Sequence, residues 1–173
     1  MKAVKTERIL QGMILALLCA FVYVIFISLH EKIVAVGDSA PEFTVTADNG
    51  QQISTSNFGG KLLVLNFWAT WCPPCIEEIP SLNQFQRRFA KSGVVVLGVS
   101  VDKDEKAYRT FLDKAGLSFL TARDPQHKIS AEYGTFLYPE TYLIDAKGKV
   151  VQKIISNADW NDERLVSYVK SLL

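Results

Sequence analysis

The chain has 173 residues, enough for one domain with a sizeable core. Nineteen Lys and Arg against 18 Asp and Glu leave a formal net charge of +1 with no basic block, so a nucleic-acid partner is not expected. Three cysteines (Cys19, Cys72, Cys75) do not make a multi-disulfide framework, and the two histidines (His30, His127) lie far apart in sequence.

Residues 9–29 are almost entirely apolar, broken only by Gln11, Gly12 and Ser28. About 20 such residues span a bilayer as a helix. Lys2, Lys5 and Arg8 precede the run, and a basic flank stays in the cytoplasm. The expected order is a cytoplasmic N-terminus at 1–8, a transmembrane signal-anchor at 9–29 and a linker at 30–36. A folded extracytoplasmic domain follows at 37–173. A cleaved signal peptide fits less well. Its apolar region is usually about 7–15 residues long and ends at a small-x-small site, whereas Ile27-Ser28-Leu29-His30 is bulky. Cys19, preceded by Leu17 and Leu18 and followed by more apolar residues, reads as a bilayer-buried free thiol rather than a lipidated one.

Phe43, Val45 and Ile53 suggest a short hairpin through Asp48-Asn49-Gly50. Leu62 to Trp68 reads as a buried strand, and a helix follows from about Pro73 to Lys91, stopped by Ser92-Gly93. Val94 to Val101 is β-branched and nearly unbroken, the pattern of a central parallel strand. A helix over 104–115 ends at Gly116, a short extended piece covers 117–120, and a short helix over 126–133 ends at Gly134. Strands over 141–145 and 149–155 flank Ala146-Lys147-Gly148 as an antiparallel hairpin. Asp159 or Asn161 should cap the last helix. The fold class is α/β, a mixed central sheet with helices on both faces, preceded by one transmembrane helix.

Trp71-Cys72-Pro73-Pro74-Cys75 sits where the first buried strand gives way to its helix. A cysteine pair at that spacing can cycle between dithiol and disulfide. The first sulfur lies at the positive end of the helix dipole, which favours the reactive thiolate. Pro73 and Pro74 cost little in the first turn but remove two amide donors, so the lowering of the Cys72 pKa should be moderate. Glu78, one turn beyond Cys75, can point back toward the sulfurs, whereas Glu77 is turned about 100° away. A shielded carboxyl there would have a raised pKa and could relay protons. The plain alternative for Glu78 is a favourable charge near a helix start. Trp68, Phe67 and Tyr142 read as core or surface aromatics, Trp71 as a residue flanking the site, and His127 as a solvated side chain.

Three segments carry a resemblance: Gly37-Asp38-Ser39-Ala40-Pro41-Glu42-Phe43, Asn66 to Cys75, and Tyr138-Pro139-Glu140-Thr141-Tyr142-Leu143-Ile144-Asp145. The chain resembles the thioredoxin superfamily from about Gly37 to Leu173. It looks most like the anchored, extracytoplasmic TlpA/ResA/DsbE-type thiol-disulfide oxidoreductases of the wider redoxin (AhpC/TSA-like) group. The resemblance implies a thioredoxin-like fold, Cys72 as nucleophile and Cys75 as resolving thiol. It implies a cis bond at Pro139, although X-Pro bonds are cis in only about 5–6% of cases. It marks Glu78 as an active-site acid and Pro80 as the residue that kinks the active-site helix. Trp71, Tyr138 and Pro139 would receive the client, with backbone at Tyr138 pairing to an extended segment. The implied partners are a disulfide-bonded client, apocytochrome c among the candidates, and a membrane thiol electron donor. The implied location is a bacterial cell membrane with the C-terminal domain outside. No cofactor is implied.

Four other readings share some of these features. A disulfide-forming oxidase would use the same two thiols and differ in reduction potential. A thiol peroxidase needs a Pro-x-x-x-Thr/Ser-x-x-Cys pattern, and Leu65 and Trp68 occupy its proline positions. A structural zinc site needs four ligands, and a copper chaperone of this fold separates its cysteines by three residues. A purely structural disulfide closing so short a loop would stabilise little.

Overall fold

The structure, a computed structural model, describes residues 2–28 and 33–173, with side chains of residues 8, 11–25 and 33–173. It divides into two compact units, Met1–Lys32 and Ile33–Leu173. The first unit contains a 27-residue helix, α1 (Lys2–Ser28). Among the described residues no helix is long and apolar enough to cross a membrane. Leu29, the last residue of the expected span, and residues 30–32 of the expected linker lie outside the described residues.

The second unit opens with a small antiparallel ribbon, β1 (Thr44–Thr46) and β2 (Gln52–Ser54), turning at Gly50 as expected. A five-stranded sheet then forms from β3 (Leu62–Trp68), β4 (Val94–Ser100), β5 (Leu120–Arg123), β6 (Glu140–Asp145) and β7 (Val150–Ile155), in the order β5-β4-β3-β6-β7. β3, β4 and β5 are parallel, and β6 and β7 run antiparallel to their neighbours. The sheet is mixed, as expected. Every residue of β3 is buried. An aliphatic side chain taken fully out of water contributes about 1.5–3 kcal/mol, which makes this strand the spine of the domain.

Both faces of β3 are covered. Leu62 and Val64 pack with Leu82, Phe85 and Phe89 of α2 (Pro73–Phe89) and Val166 and Val169 of α5 (Glu163–Ser171). Leu63, Leu65 and Phe67 pack with Tyr142, Ile144, Val34, Phe43 and Tyr133, the residue that ends α4 (Lys128–Glu132). A third cluster joins Trp68, Cys72, Cys75 and Ile79 to Tyr108 and Phe111 of α3 (Glu105–Ala115). Gly98 makes room for it, because a Cβ there would lie 2.9 Å from Trp68 Nε1.

Three expected boundaries move. The last helix is capped by Asp162, not Asp159 or Asn161: its Oδ1 accepts from the Arg164 and Leu165 amides at 2.9 and 3.3 Å. Residues 159–161 are used instead to turn Trp160 into the core, where it is fully buried. The extended piece expected at 117–120 pairs as a strand only from Leu120, opposite Leu97, and the strand runs on to Arg123, while Leu117 and Phe119 pack against the core. The short helix starts at Lys128 because Asp124 caps it, accepting from the amides of Lys128, Ile129 and Ser130, and His127 adopts φ +56°.

Candidate functional site

The strand β3 delivers the chain to the end of the sheet, and a short turn, with the Cys72 amide donating to Ala69 O at 3.2 Å, places Cys72 at the N-cap of α2. Pro73 and Pro74 occupy its first turn. Cys72 and Cys75 are joined in a disulfide, with S–S 2.07 Å and Cα atoms 5.3 Å apart. Cys72 is 4% exposed and Cys75 1%, so the first cysteine is the more accessible of the two. A sulfur at this helix start lies at the positive pole of the dipole, and the prolines leave Cys75 as the first residue of the helix with an amide to offer.

Trp71 and Tyr138 frame the pair. Trp71 is 62% exposed, and its ring meets that of Tyr138 edge-on at 6.1 Å. The Tyr138–Pro139 bond is cis, as the resemblance implies. Glu140, next in the chain, is nearly buried and paired with Lys153 at 2.7 Å, and Lys153 Nζ also donates to Val34 O at 3.2 Å. Burial raises the Tyr138 phenol pKa. Its hydroxyl lies 3.4 Å from His127 Nδ1. His127 is therefore half-buried against the site, not the freely solvated side chain expected. Trp68, Phe67 and Tyr142, open between core and surface in the sequence, are buried core aromatics.

Glu78 is 3% exposed and shares the inner face of α2 with Cys75, three residues earlier. Its Oε1 accepts from Asn66 Nδ2 at 2.8 Å. Its Oε2 accepts from the Ala158 amide at 3.2 Å and Trp160 Nε1 at 3.3 Å. Asn66 Nδ2 also donates to Thr141 Oγ1 at 2.9 Å, two residues past Pro139. None of the ion pairs found among the described residues involves Glu78. Burial therefore dominates and raises the carboxyl pKa, while the bonds from Asn66, Ala158 and Trp160 pull it back down. A buried carboxylate without a cation carries a desolvation cost of several kcal/mol, which hydrogen bonds from three neutral donors offset in part. Glu77 is exposed, as expected.

Sequence reasoning missed Asn66, Thr141 and Trp160 as partners of this acid. Asn66 carried a signal, as the one polar residue in the seven of β3. Trp160 carried none, lying in a polar stretch. Among the described residues no group of three or more His, Cys, Asp or Glu is placed to hold a metal ion.

The chain has relatives among known proteins. The AhpC/TSA family model matches residues 36–153. The chain is similar to the thiol-disulfide oxidoreductase ResA of Bacillus thuringiensis (strain Al Hakam), with 36% identity over 137 residues, covering 79% of this chain and 78% of that one. It is 33% identical over 172 residues to ResA of Bacillus thuringiensis subsp. konkukian, covering 97% and 98%. Among solved structures, a putative thiol:disulfide interchange protein DsbE from Chlorobium tepidum superposes with a TM-score of 0.73 at 29% identity, over 80% of this chain and 98% of the other.

Proposed function

The chain belongs to the AhpC/TSA family, and on that premise we propose that it works as a membrane-anchored, extracytoplasmic reductant of protein disulfides. It is a thiol-disulfide oxidoreductase of the ResA/DsbE type with a thioredoxin-like fold. The observation that carries this reading is the Cys72–Cys75 disulfide at the β3–α2 junction, beside exposed Trp71 and cis-Pro139.

In the reducing direction the Cys72 thiolate attacks one sulfur of a client disulfide. A mixed disulfide forms and the client's other sulfur leaves as a thiolate. The Cys75 thiolate then attacks Cys72 Sγ, closing the intramolecular disulfide and releasing the second client thiolate. Two electrons pass to the client, and its thiolates take up the two protons that the dithiol gave up. Glu78, with its raised pKa, is the group we assign to exchanging those protons. Trp71, Tyr138 and Pro139 receive the client. Apocytochrome c is the client class we favour, and a membrane thiol donor must return two electrons to the Cys72–Cys75 disulfide after each cycle.

The reducing direction is proposed mainly on the likeness to ResA/DsbE-type oxidoreductases, and secondarily on modest stabilisation of the thiolate. A strongly stabilised thiolate makes the reduced form more stable and the protein more oxidising. Here Pro73 and Pro74 remove two first-turn donors. The reduction potential should lie nearer thioredoxin's, about −270 mV, than the roughly −120 mV of a strong oxidant. Equilibration with a glutathione or dithiothreitol series would read it. A value above roughly −180 mV would move the protein to the disulfide-forming class.

The anchor is proposed on the apolar run at 9–29 and its basic flank. Full-length protein should fractionate with membranes, and protease should reach the folded domain only from the outer side. A mature soluble form released from the membrane would overturn the anchor.

A further inference from the structure

Asp102 is a buried carboxylate, 2% exposed, that the exchange chemistry above does not use. It lies just beyond the end of β4, beside the end of β3. Its Oδ2 accepts from the Thr70 amide at 2.9 Å and from Ser100 Oγ at 2.6 Å, and its Oδ1 accepts from Thr70 Oγ1 at 2.7 Å. The Asp102 amide donates to Ser100 Oγ at 3.0 Å, and the Val101 amide donates to Trp68 O at 2.9 Å. The chain between Trp68 and Cys72 is thus tied to residues 100–102 at three points, and two of them are the Asp102 carboxylate.

The place of this clamp matters more than its number of bonds. Thr70 is two residues before Cys72 and next to exposed Trp71. Val101 packs in the same cluster as both sulfurs. Thr70, Trp71 and Asp102 also line a groove of about 560 Å³ together with Lys103, Asp104 and His127. Among the ion pairs of the described residues none involves Asp102, so its charge is met by hydrogen bonds alone. A fold staple would need no charge here. An asparagine could accept from the Thr70 amide and Ser100 Oγ with its oxygen and donate to Thr70 Oγ1 with its nitrogen.

We propose that Asp102 is a positioning residue of the redox pair: it holds the Ala69–Cys72 turn through Thr70 and sets its carboxylate against the turn that carries the nucleophile. This rests on the oxidoreductase reading of Cys72 and Cys75. The clamp sets where the Cys72 sulfur meets its client. The charge disfavours the Cys72 thiolate and so keeps the dithiol a good electron donor. The other titratable groups around the turn are Lys103 and Asp104 of the loop after β4, Tyr108 of α3, His127 before α4, Tyr138 beside Trp71, and Glu78 on α2.

Two pairs of measurements on the full chain test the two parts. Asp102→Asn keeps the contacts and removes the charge. It should move the exchange equilibrium about tenfold toward the dithiol, or about 30 mV less negative. Thr70→Val breaks the side-chain half of the clamp and should slow attack on a protein disulfide by about tenfold, with Thr70→Ser restoring the rate. Rates are taken per folded molecule. An Asp102→Asn potential equal to the parent's, or Thr70→Val as fast as Thr70→Ser, would overturn the proposal and leave a fold staple. A parent chain that exchanges no disulfide at all would instead remove the oxidoreductase reading, and this proposal with it.

Discussion

Reduced Cys75→Ala protein is expected to attack a client disulfide once and then stop as a stable mixed disulfide, while Cys72→Ala is expected not to attack at all. The asymmetry comes from position. Cys72 is the N-cap residue of α2 and the more exposed sulfur, whereas Cys75 lies one turn inside and is 1% exposed. A client sulfur therefore reaches Cys72 first, and only Cys75 is close enough to release it. Loss of an essential nucleophile typically costs on the order of 10³-fold or more in rate, so Cys72→Ala should fall to the uncatalysed background. Non-reducing electrophoresis and intact mass of the Cys75→Ala adduct read the trap directly. If Cys75→Ala turned over at the parent rate, the roles of nucleophile and resolver would have to be reversed. Neither substitution should unfold the domain, because the core that places the pair is built from β3, α2 and their neighbours rather than from the two-residue loop the disulfide closes.

The parts of this site that were legible in sequence are those set by local pattern. The apolar run of β3, the Cys72–Cys75 spacing, the inward-facing position of Glu78 and the Gly148 hairpin all follow from periods of two or about four residues, which a linear reading captures. The parts that were not legible are contacts between distant segments. Asn66 meets Thr141 across 75 positions, and Glu78 meets Trp160 across 82. Thr70 meets Asp102 across 32. Nothing local to Trp160 says that its indole will reach a carboxylate on α2, and its demand for burial is what displaced the last helix cap to Asp162. His127 escaped for a different reason: it reads as polar helix, but its backbone takes a left-handed conformation that ends the turn before α4 and brings the ring to Tyr138. The cis bond at Pro139 came from family resemblance, since composition alone favours trans.

Glu78→Gln is expected to alter both the stability and the chemistry of the protein as functions of pH, with the fold intact. The shape is kept: if the Asn66 amide flips, the oxygen of the introduced carboxamide can accept from the Ala158 amide and Trp160 Nε1, and its nitrogen can donate to Asn66. What is lost is a carboxyl whose pKa burial has raised above the ordinary carboxylate range. The folded protein then holds this proton more tightly than the unfolded chain does. Stability therefore falls as pH rises from the unfolded pKa through the folded one, and is level above it. Glu78→Gln should remove that limb from a denaturation series. The effect on the thiols has a definite sign too. An ionised Glu78 on the same helix face as Cys75 raises the thiol pKa, so its removal should lower the apparent value read from pH-dependent alkylation of the reduced protein. Carboxyl and thiols can titrate as a coupled set, so the measured change belongs to the set rather than to one sulfur. Glu77→Gln is the control, because that side chain is exposed on another face of α2. Equal and negligible changes in the two variants would reduce Glu78 to a charge near a helix start, and proton exchange would then have to run directly between the thiols and water.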